Sequence, residues 1–233
     1  MPIPLYIRSA RQISAQQPLT DDWFEAPLLH RDTTAVHSLD PDFSEHIPPL
    51  VSRRMCTLLR RVVVLSRLTL RDAGLEQPDA IINGTALGCV ADSEALLRGL
   101  AEEGESVSMP THFMQSTHNT VASLIALYTH NHGYNCTYSQ GNVSFECALM
   151  DAFLQLKMGH IKTSYVSYND VITAELQHNM AETGAQLGVS DESRGLILSV
   201  ENNGRALQEL VDVRVWHDSK GDYAEIKTVP ICD

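Results

Sequence analysis

The chain has 233 residues, 43% of them hydrophobic, and a formal net charge of −12. That is enough apolar material for one large α/β domain or two small ones, and the wrong sign for a surface that tracks phosphates. The nearest approach to a basic cluster, Arg53, Arg54, Arg60 and Arg61, falls on one predicted helix, so nucleic acid is not an expected partner; no apolar run is long enough to span a membrane and no leader pattern opens the chain, which sets the expectation at a cytoplasmic protein.

Residues 3–8 (IPLYIR) read as an initial strand. Residues 17–49 are rich in Pro, Asp and His without a sustained period, and read as a long surface excursion within a single domain over 1–233. From Leu50 the pattern changes: Val51, Met55, Leu58, Leu59, Val62 and Leu65 recur at three- and four-residue steps, predicting one amphipathic helix that ends near Gly74. "DAIINGTALG" follows as a buried strand and a glycine turn, then a helix from Ser93 to Leu100, the loop "EEGESVSMP", and a helix over "STHNTVASLIALYTHNHG" closed by Gly133.

Next come a strand at 135–139 (NCTYS), a long helix over about 143–158 and a strand at 162–168 (KTSYVSY). After a polar connection, "GLILSVEN" and "LQELVDVRVWHD" read as two more strands, followed by a short tail. Helices between apolar strands predict a mixed, mainly parallel sheet with helices on both faces. In the 143–158 helix, Val143, Phe145, Cys147, Ala148, Leu149, Met150, Ala152, Phe153, Leu154, Leu156 and Met158 leave only a narrow polar strip around Ser144, Asp151 and Gln155. Such a helix is expected to be largely buried, under a second layer, a partner subunit or the excursion.

A helix start offers free N–H groups and a positive dipole end, which suit a nucleophile or an anion. Here the start carries Gly141, Asn142, Val143 and Ser144 and no cysteine; Asn142 is itself a favoured helix N-cap. The five cysteines, Cys56, Cys89, Cys136, Cys147 and Cys232, are scattered without metal or redox spacing and read as buried thiols. Asn83, Asn135 and Asn142 open glycosylation-type triplets that read as chance without a secretion signal. His112, His118, His130 and His132 lack the partners that complete a four-ligand set, so neither metal nor cofactor is expected.

These segments resemble, in order and spacing, the N-terminal half of the β-ketoacyl synthases, which have the thiolase fold. "SRRMCTLLRRVVVLSRLTLRDAGL" is similar to that family's helix with an early Arg-Met and a closing Asp-Ala-Gly, "IINGTALGCVADSE" to its glycine-turn strand, and "SMPTHFMQSTHNTVASLIALYTHNHG" to the segment leading into the nucleophile strand. From Asn119 to Asp170 the spacing follows the family pattern without a gap. The resemblance implies half of a thiolase-like fold. It also implies that a cysteine at the start of the buried helix would attack an acyl thioester. Counting from Gly133 and Gly159 puts Asn142 there, or Gln140 in a shifted register, as in the chain-length-factor subunits of polyketide systems.

Two histidines of the family's second half have no equivalents in these segments, and His112, His118, His130, His132 and His160 all fall in first-half positions. The resemblance therefore implies a non-catalytic, chain-length-factor-like subunit that assists an active ketosynthase in making a fatty acid, an aryl polyene or another polyketide. Its partners would be a ketosynthase and an acyl carrier protein, or a second copy. Contact would run through Asn135, Cys136, Thr137, Tyr138 and Ser139. Pro110, Phe113 and Met114, with Asn142 and Ser144, would line the acyl path, against the plainer reading of Phe113 and Met114 as core filling. The alternative is a truncated acyltransferase or thioester hydrolase using Ser144 or Cys147, although no GxSxG elbow surrounds Ser144.

Overall fold

The computed structural model describes residues 3–15, 18–20, 37–104, 109–184, 190–204 and 206–231. Residues 21–36 of the expected excursion and Cys232 lie outside them.

Tyr6–Ile13 (β1) is buried along nearly its whole length, as a strand covered on both faces is. Pro18–Thr20 (β2) pairs with its end. The single helix expected from Leu50 is two: a short turn, Pro49–Ser52 (α1), and Thr57–Ala73 (α2). Gly74 closes α2 with φ 67°, returning its N–H to Leu70 and Arg71 carbonyls, a left-handed cap that glycine adopts without a Cβ clash. Ala80–Gly84 (β3) and Val90–Glu103 (α3) follow. The helix expected over 116–133 is shorter, Thr120–Thr129 (α5), and a short helix not expected from the sequence, Pro110–Gln115 (α4), precedes it.

Tyr134–Tyr138 (β4), Ser144–Lys157 (α6), Thr163–Asp170 (β5) and Glu192–Ser199 (β6) lie close to their expected places. The polar connection after β5 contains a helix, Ala174–Thr183 (α7), whose start is capped by the Thr173 hydroxyl accepting from Leu176 N–H. Gln208–Asp218 (β7) does not end the sheet: the expected tail is a further strand, Gly221–Pro230 (β8), in a long hairpin.

The strands form one mixed sheet in the order β4-β3-β5-β6-β1-β7-β8, with β2 on β1. The parallel share is smaller than expected. Among the described residues the parallel pairs are β3–β4 and β3–β5, whereas β5–β6, β6–β1, β1–β7 and β7–β8 are antiparallel. Strand direction escapes the periodicity because a long connection permits either sense. Alternation along the strands feeds two cores. Ala80, Ile82, Val166, Leu196 and Leu198 face α6 on one side, while Ile81, Tyr165 and Ile197 face α2 and α5 on the other. Helix α6 buries Phe145, Ala148, Leu149, Ala152 and Leu156, and burial of Phe145, Leu149 and Leu156 stabilises the fold by about 2 kcal/mol each. Within α6 only Leu154 is exposed, at 45%, with Met158 just past its end at 65%; every other position is buried or half-buried, as expected of a largely buried helix.

Candidate functional site

The site is the start of α6, set by the close approach of two backbones. A Cβ on Gly84, at the end of β3, would lie 2.5 Å from the Ser144 carbonyl oxygen and 2.8 Å from the Phe145 nitrogen. Only glycine lets the first turn of α6 descend onto the sheet there. Between β4 and α6 the chain makes a tight 3-10 turn, Gly141–Val143, with Gly141 at φ 54°.

Ser144 is fully buried. Its hydroxyl donates to the Gly141 carbonyl at 2.7 Å and accepts from the Gln140 N–H at 2.9 Å, so it staples the turn. Asn142 is exposed at the tip and caps nothing: the residue before α6 is Val143, and no side-chain cap bond forms there. The capping expectation for Asn142 is thereby corrected, because the inserted 3-10 turn moves the cap position one residue on. Gln140 is also exposed. Cys136 is half-buried on β4 against the α6 core. Cys147, half-buried in the first turns of α6, has its thiol pKa raised by burial, with Glu146 and Asp222 adding to it. That is the opposite of the depressed pKa an attacking thiol needs at neutral pH.

The floor of the site is polar. Asp170 is fully buried and accepts from the Thr85 hydroxyl at 2.5 Å, the Ala86 N–H at 2.9 Å and the Leu87 N–H at 3.0 Å. The turn after β3 is thus clamped to the end of β5. Burial pushes the Asp170 carboxyl up, and these donors draw it partly back. Asn83 Oδ1 accepts from Ser167 Oγ at 2.9 Å and Asn169 Nδ2 at 2.8 Å, tying the same strands together inside the protein. The Arg194 guanidinium stacks 4.3 Å from the Phe145 ring and 5.2 Å from the Tyr168 ring, bracing the first turn of α6 from β6. Arg194 carried no signal in the sequence, since nothing there placed β6 beside the helix start.

Strand β4 has one neighbour, β3, and among the described residues its other edge is unpaired. Asn135, Cys136, Thr137 and Tyr138 lie on it, with Ser139 just beyond its end. Asn135 turns its amide to the Ala122 carbonyl at 3.0 Å. Pro110 opens α4 at its first position, and His112 Nδ1 lies 2.8 Å from a carboxylate oxygen of buried Asp92 on α3, fixing α4 in place. Phe113 and Met114 do not fill the core: they are 67% and 72% exposed, because α4 is a single short turn with α3 on one side. Leu127 on α5 is likewise 72% exposed.

His118 packs its ring against Gly88, His130 caps α5 in the left-handed region, and His160 meets Gln155 at 3.0 Å. Among the described residues no group of three or more His, Cys, Asp or Glu is arranged to hold a metal, and no helix is long and apolar enough to cross a membrane.

Residues 21–210 match the family described as β-ketoacyl synthase, N-terminal domain. No curated protein sequence matches the chain. Among solved structures, the fold is similar to that in the ketosynthase ApeO in complex with its chain length factor ApeC from Xenorhabdus doucetiae, with TM-score 0.67 and 20% identity over 93% of this chain and 84% of the other. It is also similar to a β-ketoacyl synthase from Burkholderia phymatum, with TM-score 0.73 and 14% identity over 94% and 65%. The ishigamide ketosynthase/chain length factor gives TM-score 0.72 and 17% identity over 93% and 68%. The mixed sheet with α6 behind it is thus half of a thiolase-like fold.

Proposed function

The chain belongs to the β-ketoacyl synthase family, and within it we propose that this protein is a non-catalytic subunit, of chain-length-factor type, that pairs with an active ketosynthase in fatty acid, aryl polyene or other polyketide biosynthesis. The observation that carries the reading is the chemistry at the start of α6. The turn presents Asn142, with Gln140 in a shifted register, and neither side chain forms an acyl-enzyme bond. Ser144 spends its hydroxyl on the turn, and Cys147 has a raised thiol pKa. These features disfavour a thioester hydrolase or acyltransferase using either residue.

The surface favours a partner on the β4 side. An unpaired, uncharged edge strand, with exposed Leu127 on the helix packed against it and exposed Phe113 and Met114 on α4, offers a template for pairing across a subunit interface. Residues 135–139 would form its centre. Pro110, Phe113 and Met114 would shape the path along which the partner's acyl chain grows, with Asn142 and Ser144 framing its inner end. The whole chain would act as one domain in the cytoplasm. Native mass spectrometry of the purified protein mixed with the ketosynthase and acyl carrier protein from the same source tests this. The expected result is a stoichiometric complex with the ketosynthase and no acyl adduct on this chain. A homodimer indifferent to both, or covalent acylation here, would overturn it.

A further inference from the structure

The β7–β8 hairpin lies almost wholly outside the family match, which ends at residue 210, yet it touches the start of α6. Strand β7 pairs with β1 only at Tyr6–Glu209 and Ile7–Gln208; the register then shifts between Leu210 and Asp212. Beyond that bulge the hairpin leaves the sheet edge and packs on α6, and β8 reaches the Gly141–Val143 turn. Eight residues of β7 past Leu210 span about 26 Å at ~3.3 Å each. The 14 residues of α6 span about 21 Å, so the hairpin is long enough to run the length of the helix.

Its two faces differ. Val213 and Ile226 are cross-strand partners that pack into the α6 core, and Val215 with Ala224, the next pair on that face, are half-buried. Near the tip, His217 Nδ1 and Asp222 Oδ1 are 2.9 Å apart, and the Asp222 charge is felt by the Cys147 thiol. The opposite face carries Asp212 across from Lys227, Arg214 across from Glu225, and Trp216 stacked on Tyr223 with centroids 5.8 Å apart. It is a solvent face of alternating charge.

We infer that this hairpin is a built-in cover that closes the start of α6, with Cys147, against acyl thioesters approaching from that side. The inference rests on the non-catalytic reading and deepens it: the chain lacks a nucleophile and also shields the place where one would work. A charged hairpin edge turned to solvent is fit for an intramolecular role rather than for pairing with another strand.

The test is the rate at which iodoacetamide modifies Cys147 in the native protein, read by peptide mapping. Ala224→Glu places a carboxylate in the face that meets α6, and Ile226→Ala thins the apolar contact with the α6 core. Both are expected to speed modification of Cys147 by about tenfold through local opening. Acceleration by Ala224→Glu would run against its own charge, which disfavours the thiolate. Arg214→Ala on the outer face is expected to leave the rate at the wild-type value. If Ala224→Glu does not fold, Ile226→Ala decides alone. Equal rates in the wild type and the folded inner-face variants would overturn the cover; if the ketosynthase complex still forms, the subunit reading stands. Acylation of the wild-type chain would overturn that reading instead.

Discussion

The two edges of the sheet solve the same problem in opposite ways. Every edge strand exposes unpaired N–H and C=O groups that invite another strand. At one end β8 guards them with a long hairpin, alternating charges and a bulge that turns it off the sheet plane. At the other, β4 is five residues long and carries no charged side chain, and α5, which packs on it, leaves Leu127 72% exposed. The difference teaches two ways of blunting an edge: β8 relies on charge and a bulge, β4 on its short length, and it is the neutral edge that the proposed partner would cover.

The comparison breaks most readily at the neutral edge. Replacing Phe113 and Met114 together by Glu is expected to weaken ketosynthase binding by roughly 100-fold, measured by titration, since buried apolar anchors dominate interfaces. Thermal stability should barely move, because both side chains are exposed in the free chain. Loss of folding together with binding would instead make them core residues.

Gly84→Ala should cost about 2–3 kcal/mol in denaturant unfolding, because the new Cβ meets the backbone of the first α6 turn. A fall in complex formation beyond that loss would tie the helix start to the neutral edge. Asp170→Asn should cost about 1–3 kcal/mol, since an amide cannot accept from Thr85, Ala86 and Leu87 together.

A pH series separates these from a buried ion pair between Arg61 of α2 and Asp191, just before β6. Burial alone would raise the Asp191 carboxyl, but Arg61, only 3% exposed, holds it below the usual carboxylate range, with His37 and Ser38 helping. A depressed folded pKa adds stability above the unfolded value, roughly pH 4, that is lost as pH falls through the folded one. The wild-type melting temperature should therefore drop more steeply below pH 4 than that of Asp191→Asn, in which this carboxylate is already gone. Parallel slopes would show that this ion pair does not govern acid stability. The smallest effect belongs to the guarded edge: Glu225→Ala should change stability by less than about 1 kcal/mol and leave ketosynthase binding alone, as exposed surface charges contribute little.

The sequence by itself determined the order of most elements, the glycine turns, the apolar face of α6 and the missing thiol at its start. Those are local properties: hydrophobic period, turn chemistry and side-chain identity are written within a few residues of where they act. Only the tertiary structure decided that most strand pairs are antiparallel, that Phe113 and Met114 face solvent, and that a 3-10 turn takes the cap position from Asn142. It also decided that residues past 218 return as β8 over α6. Each of these depends on what a segment meets across the fold, and chain spacing carries no record of that contact. Asp170 shows the boundary between the two. Its place in the family spacing was legible, but its task of clamping the turn after β3 required β5 to be laid beside it.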